Sequence, residues 1–235
     1  MAEWAPKRFW KETAVAAEGA GFTVHLDDRP LRTPAKAALI LPTPALAEAV
    51  AAEWQAQEGK IDPGTMPLTR TANSAIDKLS HQQEEVAEVL AAYGATDLLC
   101  YRAERPLALA ARQAGVWNPL LAWAEAEFGA ALNVTAGVVP VEQPAESLAR
   151  LRAGVAALDA FRLAAFHDLV AISGSLVLAF ALVRGRIGPD EAWEASRIDE
   201  SWQNEQWGID EDAALAESLK RRAFSDAWRF FMLCG

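Results

Sequence analysis

Seven carboxylates crowd the stretch from Asp199 to Glu217: Asp199, Glu200, Glu205, Asp210, Glu211, Asp212 and Glu217. Two acids held close together can do general acid–base chemistry when burial pushes their pKa values apart. A run as dense as this one is more often a solvated face. Trp202 and Trp207 interrupt it, and Gly208 follows. Aromatic anchors set among charges make a protein-binding edge, with the rings supplying affinity and the charges steering. The competing reading is a helix end whose tryptophans belong to the core.

Other routes to chemistry are poorly furnished. No G-x-x-x-x-G-K-[ST] run is present to cradle phosphates, and Gly19-x-Gly21 lacks the third glycine of a dinucleotide site. No serine sits in G-x-S-x-G. His25, His81 and His167 are scattered, none with a second histidine or cysteine one helical turn away to complete a metal face. His167-Asp168 is half of a metal-phosphohydrolase pattern at most, and reads as a structural pair. Cys100 and Cys234 stand far apart and read as free thiols in a reducing compartment. No cofactor is implied.

The net charge of −10 argues against nucleic acid and against an anionic membrane surface. With 52% apolar and 23% charged residues the chain is not of disordered type. Nine tryptophans exceed ordinary usage and hint at an interface beside the core. The N-terminus has no apolar signal core and no Arg/Ser-rich amphipathic segment. Leu169 to Val183, the longest apolar stretch, is too short to span a bilayer and reads as one buried helix.

These residues need a scaffold, and the pattern supplies one. Thr13, Val15 and Ala17 alternate with other residues, then Gly19-Ala20-Gly21 offers a turn, then Phe22, Val24 and Leu26 alternate again. A second turn at Asp27 to Pro30 and a strand over Ala38 to Leu41 complete a small antiparallel sheet. Thr43-Pro44 is an N-cap followed by proline at the first helical position. Leu46, Val50 and Trp54 then share a face, and Gly59 offers a left-handed stop. Met66-Pro67 starts a helix to about Lys78.

Beyond residue 81 the periodicity is helical. Leu148, Leu151, Val155 and Leu158 form one stripe; Leu215, Leu219, Ala223, Ala227 and Phe231 form another on the last helix. The fold class is α+β, mostly α: a small antiparallel β-rich N-terminal domain with short helices (1–80) followed by a helical bundle domain (81–235). Fewer than about one residue in five should lie in strands, nearly all before residue 45.

Several segments, in order, resemble a known family. They are Arg8-Phe9-Trp10-Lys11; Leu26 to Pro34; Ala52-Glu53-Trp54-Gln55-Ala56-Gln57; Met66-Pro67-Leu68-Thr69 with Ala75-Ile76-Asp77; Asp97-Leu98-Leu99-Cys100-Tyr101-Arg102; Trp117-Asn118-Pro119; and Glu205-Gln206-Trp207-Gly208. Together they resemble the ATP-twelve family, assembly chaperones of the F-type ATP synthase α subunit. The resemblance implies a molecular chaperone that binds the free α subunit and shields its β-contacting surface, without nucleotide hydrolysis, nucleic acid or membrane insertion. Its relatives include eukaryotic proteins of the mitochondrial matrix. Here the absence of a presequence and the alanine-heavy composition favour the bacterial cytoplasm, and a monomer is expected when the protein is free. The Glu-x-Trp-Gly region is the part tied to function, so Trp202, Glu205, Trp207, Gly208, Asp210 and Glu211 are the partner-binding candidates. Relatives continue past the glycine into a Glu-rich stretch ending His-Asp; here Ile209-Asp210-Glu211-Asp212-Ala213 keeps the acids and has no histidine. The alternative is an enzyme of unknown class using the acids of 199–217.

The candidates fall at a helix end closed by Gly208, where the partial negative charge of a helix C-terminus disfavours more acids. Such a local conflict is a mark of function. With no phosphate loop, ATP is expected to bind no tighter than the millimolar range; calorimetric titration checks this, and micromolar affinity would favour the enzyme reading.

Overall fold

The computed structural model describes residues 7–208 and 210–235. They form two compact units: residues up to 83 with 159–165 and 229–235, and residues 84–158 with 166–228.

In the first unit β1 (Thr13–Glu18), β2 (Gly21–Leu26) and β3 (Arg29–Pro30) make an antiparallel sheet in that order. Val15 pairs with Val24, in register with the alternation of the sequence. The turn between β2 and β3 is held by the Asp27 carboxylate, which accepts from the backbone N–H groups of Lys11 (3.0 Å) and Glu12 (3.1 Å). Those bonds lower its pKa. The strand expected over Ala38 to Leu41 is reduced to single bridges, Arg32 to Ala38 and Phe22 to Leu41. The Leu41 carbonyl sits where a Cβ on Gly21 would fall, 2.6 Å away.

Helix α1 (Pro44–Gln55) starts as expected, with Thr43 Oγ1 accepting from the Leu46 N–H at 3.1 Å. It ends before Gly59, whose left-handed backbone lies in the following loop. Helix α2 (Pro67–Ser74) passes into a π-turn at Ala75–Leu79 and then into α3 (Ser80–Ala91), which kinks at Gln82. The helical run thus extends beyond the expected Lys78. Trp10, Val24, Leu41, Leu46, Val50 and Leu68 fill the core together with Ala165, Phe230 and Cys234. Trp54 packs against this core half-buried, its indole N–H without a partner. The sequence division at residue 80 could not assign the two late segments, because periodicity says which face of a helix is apolar and not which core receives it.

In the second unit, β4 (Tyr101–Arg102) and β5 (Thr135–Ala136) pair in parallel, the strands found after residue 45. Beyond residue 106 the helices are α4 (Leu107–Phe128), α5 (Ala145–Ala156), α6 (Ala160–Ser173), α7 (Leu176–Val183), α8 (Pro189–Ser196), α9 (Ile198–Trp207) and α10 (Glu211–Leu233), the start of α6 and the end of α10 belonging to the first unit. The stretch from Leu169 to Val183 is two helices rather than one. Gly174 takes φ +73° and ends α6, and Ser175 caps α7, whose residues Leu176 to Leu182 are all buried. No helix among the described residues is long and apolar enough to cross a membrane.

The break is held by Asp97, which is fully buried. Its Oδ1 accepts from the Ser175 hydroxyl (2.7 Å) and the Leu99 N–H (3.0 Å), and its Oδ2 from the Val177 N–H (3.0 Å). Burial pushes this carboxyl's pKa up, while the donors from Val177, Ser175 and Leu99 pull it back. Asp97→Asn sets an amide N–H₂ against one backbone N–H and should cost about 1–3 kcal/mol, the range for a buried group left unsatisfied. Asp97→Ala leaves all three donors unmet and should cost more. Urea denaturation of the two variants checks the order; equal midpoints with wild type would remove Asp97 from the stabilising set.

Candidate functional site

Helix α9 carries Trp202, Glu205 and Trp207 and ends where Gly208 takes φ +87°, a backbone that side chains disfavour. Glu205 is not a free acid. Arg112 on α4 clamps it with two bonds, Nη1 to Oε1 at 2.7 Å and Nη2 to Oε2 at 2.9 Å. The same guanidinium lies 4.9 Å from the Trp202 ring centroid. Trp202, Arg112 and Glu205 therefore stack as ring, cation and carboxylate. The Arg112 hydrogen bonds hold the Glu205 carboxyl below its usual pKa.

Trp207 is 79% exposed, the aromatic side chain most open to solvent of those described. Of the other described tryptophans, Trp10, Trp117 and Trp193 are buried, and Trp54, Trp123, Trp202 and Trp228 are half-buried. Ile209 lies outside the described residues.

Asp210 accepts from the Ala213 N–H at 2.8 Å, as an N-cap does, and Glu211 and Asp212 occupy the first turn of α10. These acids sit at a helix N-terminus, where the dipole favours them. The expected conflict is therefore absent: the C-terminus of α9 carries only Glu205, neutralised by Arg112. The rest of the run is spent likewise. Asp199 accepts from Gln113 Nε2 at 2.6 Å, and Glu200 pairs with Arg197 at 2.8 Å. Asp199 lines a cavity, but the other acids of the run line neither described cavity. Among the described residues no three His, Cys, Asp or Glu side chains gather where they could hold a metal. His167 Nδ1 lies 3.0 Å from Asp168, whose hydrogen bond raises the imidazole pKa. Burial pushes the thiols of Cys100 and Cys234 up to about 12.

Sequence periodicity missed two things. Arg112 lies 93 residues from Glu205 and no local pattern joins them. The expected inward stripe of α10 is turned outward in its first half, with Leu215 and Leu219 62% and 59% exposed and Ala223 open to solvent. The buried stripe is Phe224, Ala227, Phe230 and Cys234. Its 3-3-4 spacing was available in the sequence and competed with the leucine spacing.

Known proteins support the family. Residues 7–125 match the family model described as ATP12 chaperone protein. The crystal structure of Atp12 from Paracoccus denitrificans is 51% identical, with a TM-score of 0.95 over 97% of this chain and 98% of that one. The crystal structure of the Atu1473 protein from Agrobacterium tumefaciens is 39% identical, with a TM-score of 0.93 over 97% of this chain and 85% of that one. The mitochondrial protein atp12 of Schizosaccharomyces pombe is 28% identical over 94% of this chain and 81% of its own length. The fold and sequence are those of an assembly chaperone, and the chain belongs to the ATP12 chaperone family.

The Arg112–Glu205 pair is exposed, and exposed pairs contribute little to stability. Glu205→Lys should therefore melt close to wild type. Glu205→Gln should show whatever small loss exists only above the ordinary Glu pKa of 4.5. Because the folded pKa is depressed, that stabilisation is present above this value and disappears as pH falls through the lowered one. Melting curves at pH 3 to 8 check this; a large loss at neutral pH would make Glu205 structural.

Proposed function

We propose that this ATP12-family chaperone, whose family serves assembly of the catalytic sector of F-type ATP synthase, binds the free α subunit of that sector. In doing so it shields the surface that the β subunit later covers. The observation that carries this reading is Trp207, a tryptophan 79% exposed on a helix end that is closed by Gly208, with Glu205 and Asp210 close to it in the chain. Leu215 and Leu219, one turn apart on α10, add exposed apolar area. Large apolar side chains open to solvent with a polar surround mark an interaction surface. Acids at such a rim steer a basic partner patch.

A holdase of this kind works by mass action, binding an unassembled subunit until a tighter partner displaces it. No turnover is required. The bacterial cytoplasm is the compartment that fits this reading, and the free protein acts as a monomer.

Trp207→Ala and the double variant Leu215→Asp with Leu219→Asp remove the exposed rings and leucines. They should melt like wild type, because these side chains lie outside the core. Size-exclusion chromatography with purified α subunit should show co-elution for wild type, lost or sharply reduced for both variants. Added β subunit should release the wild-type complex. Glu205→Lys should weaken retention at low salt, with less difference at high salt, where charge steering is screened. Full co-elution of both apolar variants would place the client surface elsewhere, and absence of any wild-type complex would overturn the α-subunit reading.

A further inference from the structure

The surface around Trp207 does not involve Arg102, which ends the family segment that begins at Asp97, or the segment Trp117-Asn118-Pro119. Arg102, at the end of β4, is only 9% exposed. Its guanidinium lies 4.8 Å from the Trp117 ring centroid. Nη2 donates to Asn118 Oδ1 at 2.9 Å and Nη1 to the Gln113 carbonyl at 3.3 Å. These bonds take two of the five N–H groups of a guanidinium. Among the described residues none of the ion pairs includes Arg102. Desolvation by burial pulls its pKa down. Neutral acceptors and a ring face offset the loss of hydration only in part.

Arg102 lines a cavity of about 590 Å³ together with Tyr101, Leu109, Gln113 and Val138. The other charged groups at this cavity are Glu104, Arg105 and Asp199. Asp199 takes the Gln113 amide N–H, and Gln113 Oε1 in turn accepts from the Ala103 N–H at 2.7 Å, so the amide is used at both ends. Glu104 and Arg105 are exposed at the mouth. Among the lining side chains Val138 is apolar and 93% exposed, and its chain neighbour Val139 is 71% exposed. A fixed cation without an ion-pair partner, set beside an exposed apolar side chain, is complementary to a carboxylate carried next to apolar residues.

We propose that this cavity is a second client-docking site, which takes an extended segment of the α subunit through an internal acidic side chain on Arg102 and apolar neighbours on Val138. The identity of the client rests on the α-subunit reading above; the chemistry of the cavity does not.

Two arms separate them. In the first, isotope-labelled full chain is titrated with the capped pentapeptide acetyl-Val-Leu-Asp-Leu-Val-amide, and the Arg102 Nε–H resonance is followed by NMR. The aspartyl peptide should shift it saturably. The asparaginyl version should bind roughly tenfold more weakly, because its amide carries no charge to meet the guanidinium and offers one acceptor oxygen where a carboxylate offers two. Equal shifts from both peptides, or none from either, would overturn the proposal. An aspartate-free peptide with a free C-terminal carboxylate that binds as tightly would overturn the assignment to an internal acid.

In the second arm Val138→Asp, at a position too exposed to support the core, should melt like wild type. It should bind the aspartyl peptide and the α subunit at least severalfold more weakly. Unchanged α-subunit retention by Val138→Asp would sink the docking role. Failure of wild type itself to hold the α subunit would sink the client reading, with the peptide arm still deciding the cavity. Arg102→Lys, keeping charge without the planar fork, should recover part of the peptide affinity that Arg102→Gln loses.

Discussion

The helical unit is organised around one buried carboxylate. Among the described residues Asp97 is the acid that is wholly buried, and its three donors come from two places in the chain. The Leu99 N–H fixes the 3-10 turn Leu98–Cys100, and Ser175 and Val177 fix the first turn of α7. Ser175 passes the bond on, since its Oγ also accepts from the Leu178 N–H at 2.9 Å. The Leu98 N–H completes the join on the Gly174 carbonyl at 3.1 Å. A buried carboxyl group at a helix N-terminus, with both oxygens met by hydrogen-bond donors, is tolerated because dipole and donors replace water. Helix α7, apolar all round, then sinks as a unit, and Phe180 stacks on Phe166 and Phe128.

Much of this was legible in the residues. Caps, turns and strand register are local, and Thr43-Pro44, Gly19-Ala20 and the Val15–Val24 pairing fell where propensity put them. The family segments were legible as segments, not as contacts. Glu53 proves to cap α2 from outside, accepting from the Leu68 N–H at 2.7 Å and the Thr69 N–H at 2.8 Å. Asp77 accepts from the Thr33 hydroxyl at 2.5 Å and the Ala35 N–H at 3.1 Å. Each polar residue serves backbone groups of another segment, a relation that one sequence read locally does not contain. The α10 stripe was misread for a different reason. Leucine and phenylalanine spacings overlap on one helix, and burial favoured the aromatic set, with its larger apolar area.

The acidic run shows how composition can point at a surface while misstating its physics. Counted as charge it is one dense feature. In the fold it is a series of helix-end and clamp roles: Asp199 on Gln113, Glu200 on Arg197, Glu205 on Arg112, and Asp210 as a cap. Glu211 and Asp212 stay open to solvent with no such role, and so does Trp207. The apolar members of the stretch were thus the more informative ones.

That exposure has a cost for the free protein. A tryptophan and two leucines open to water invite self-association as readily as client binding. The charge of −10 supplies the counterweight, because like-charged copies repel at range while a basic client patch is attracted. Acids next to Trp207 and Leu215 place that repulsion where it is needed. A neutral rim would leave the same contact area and lose the discrimination between a client and a second copy of the chaperone.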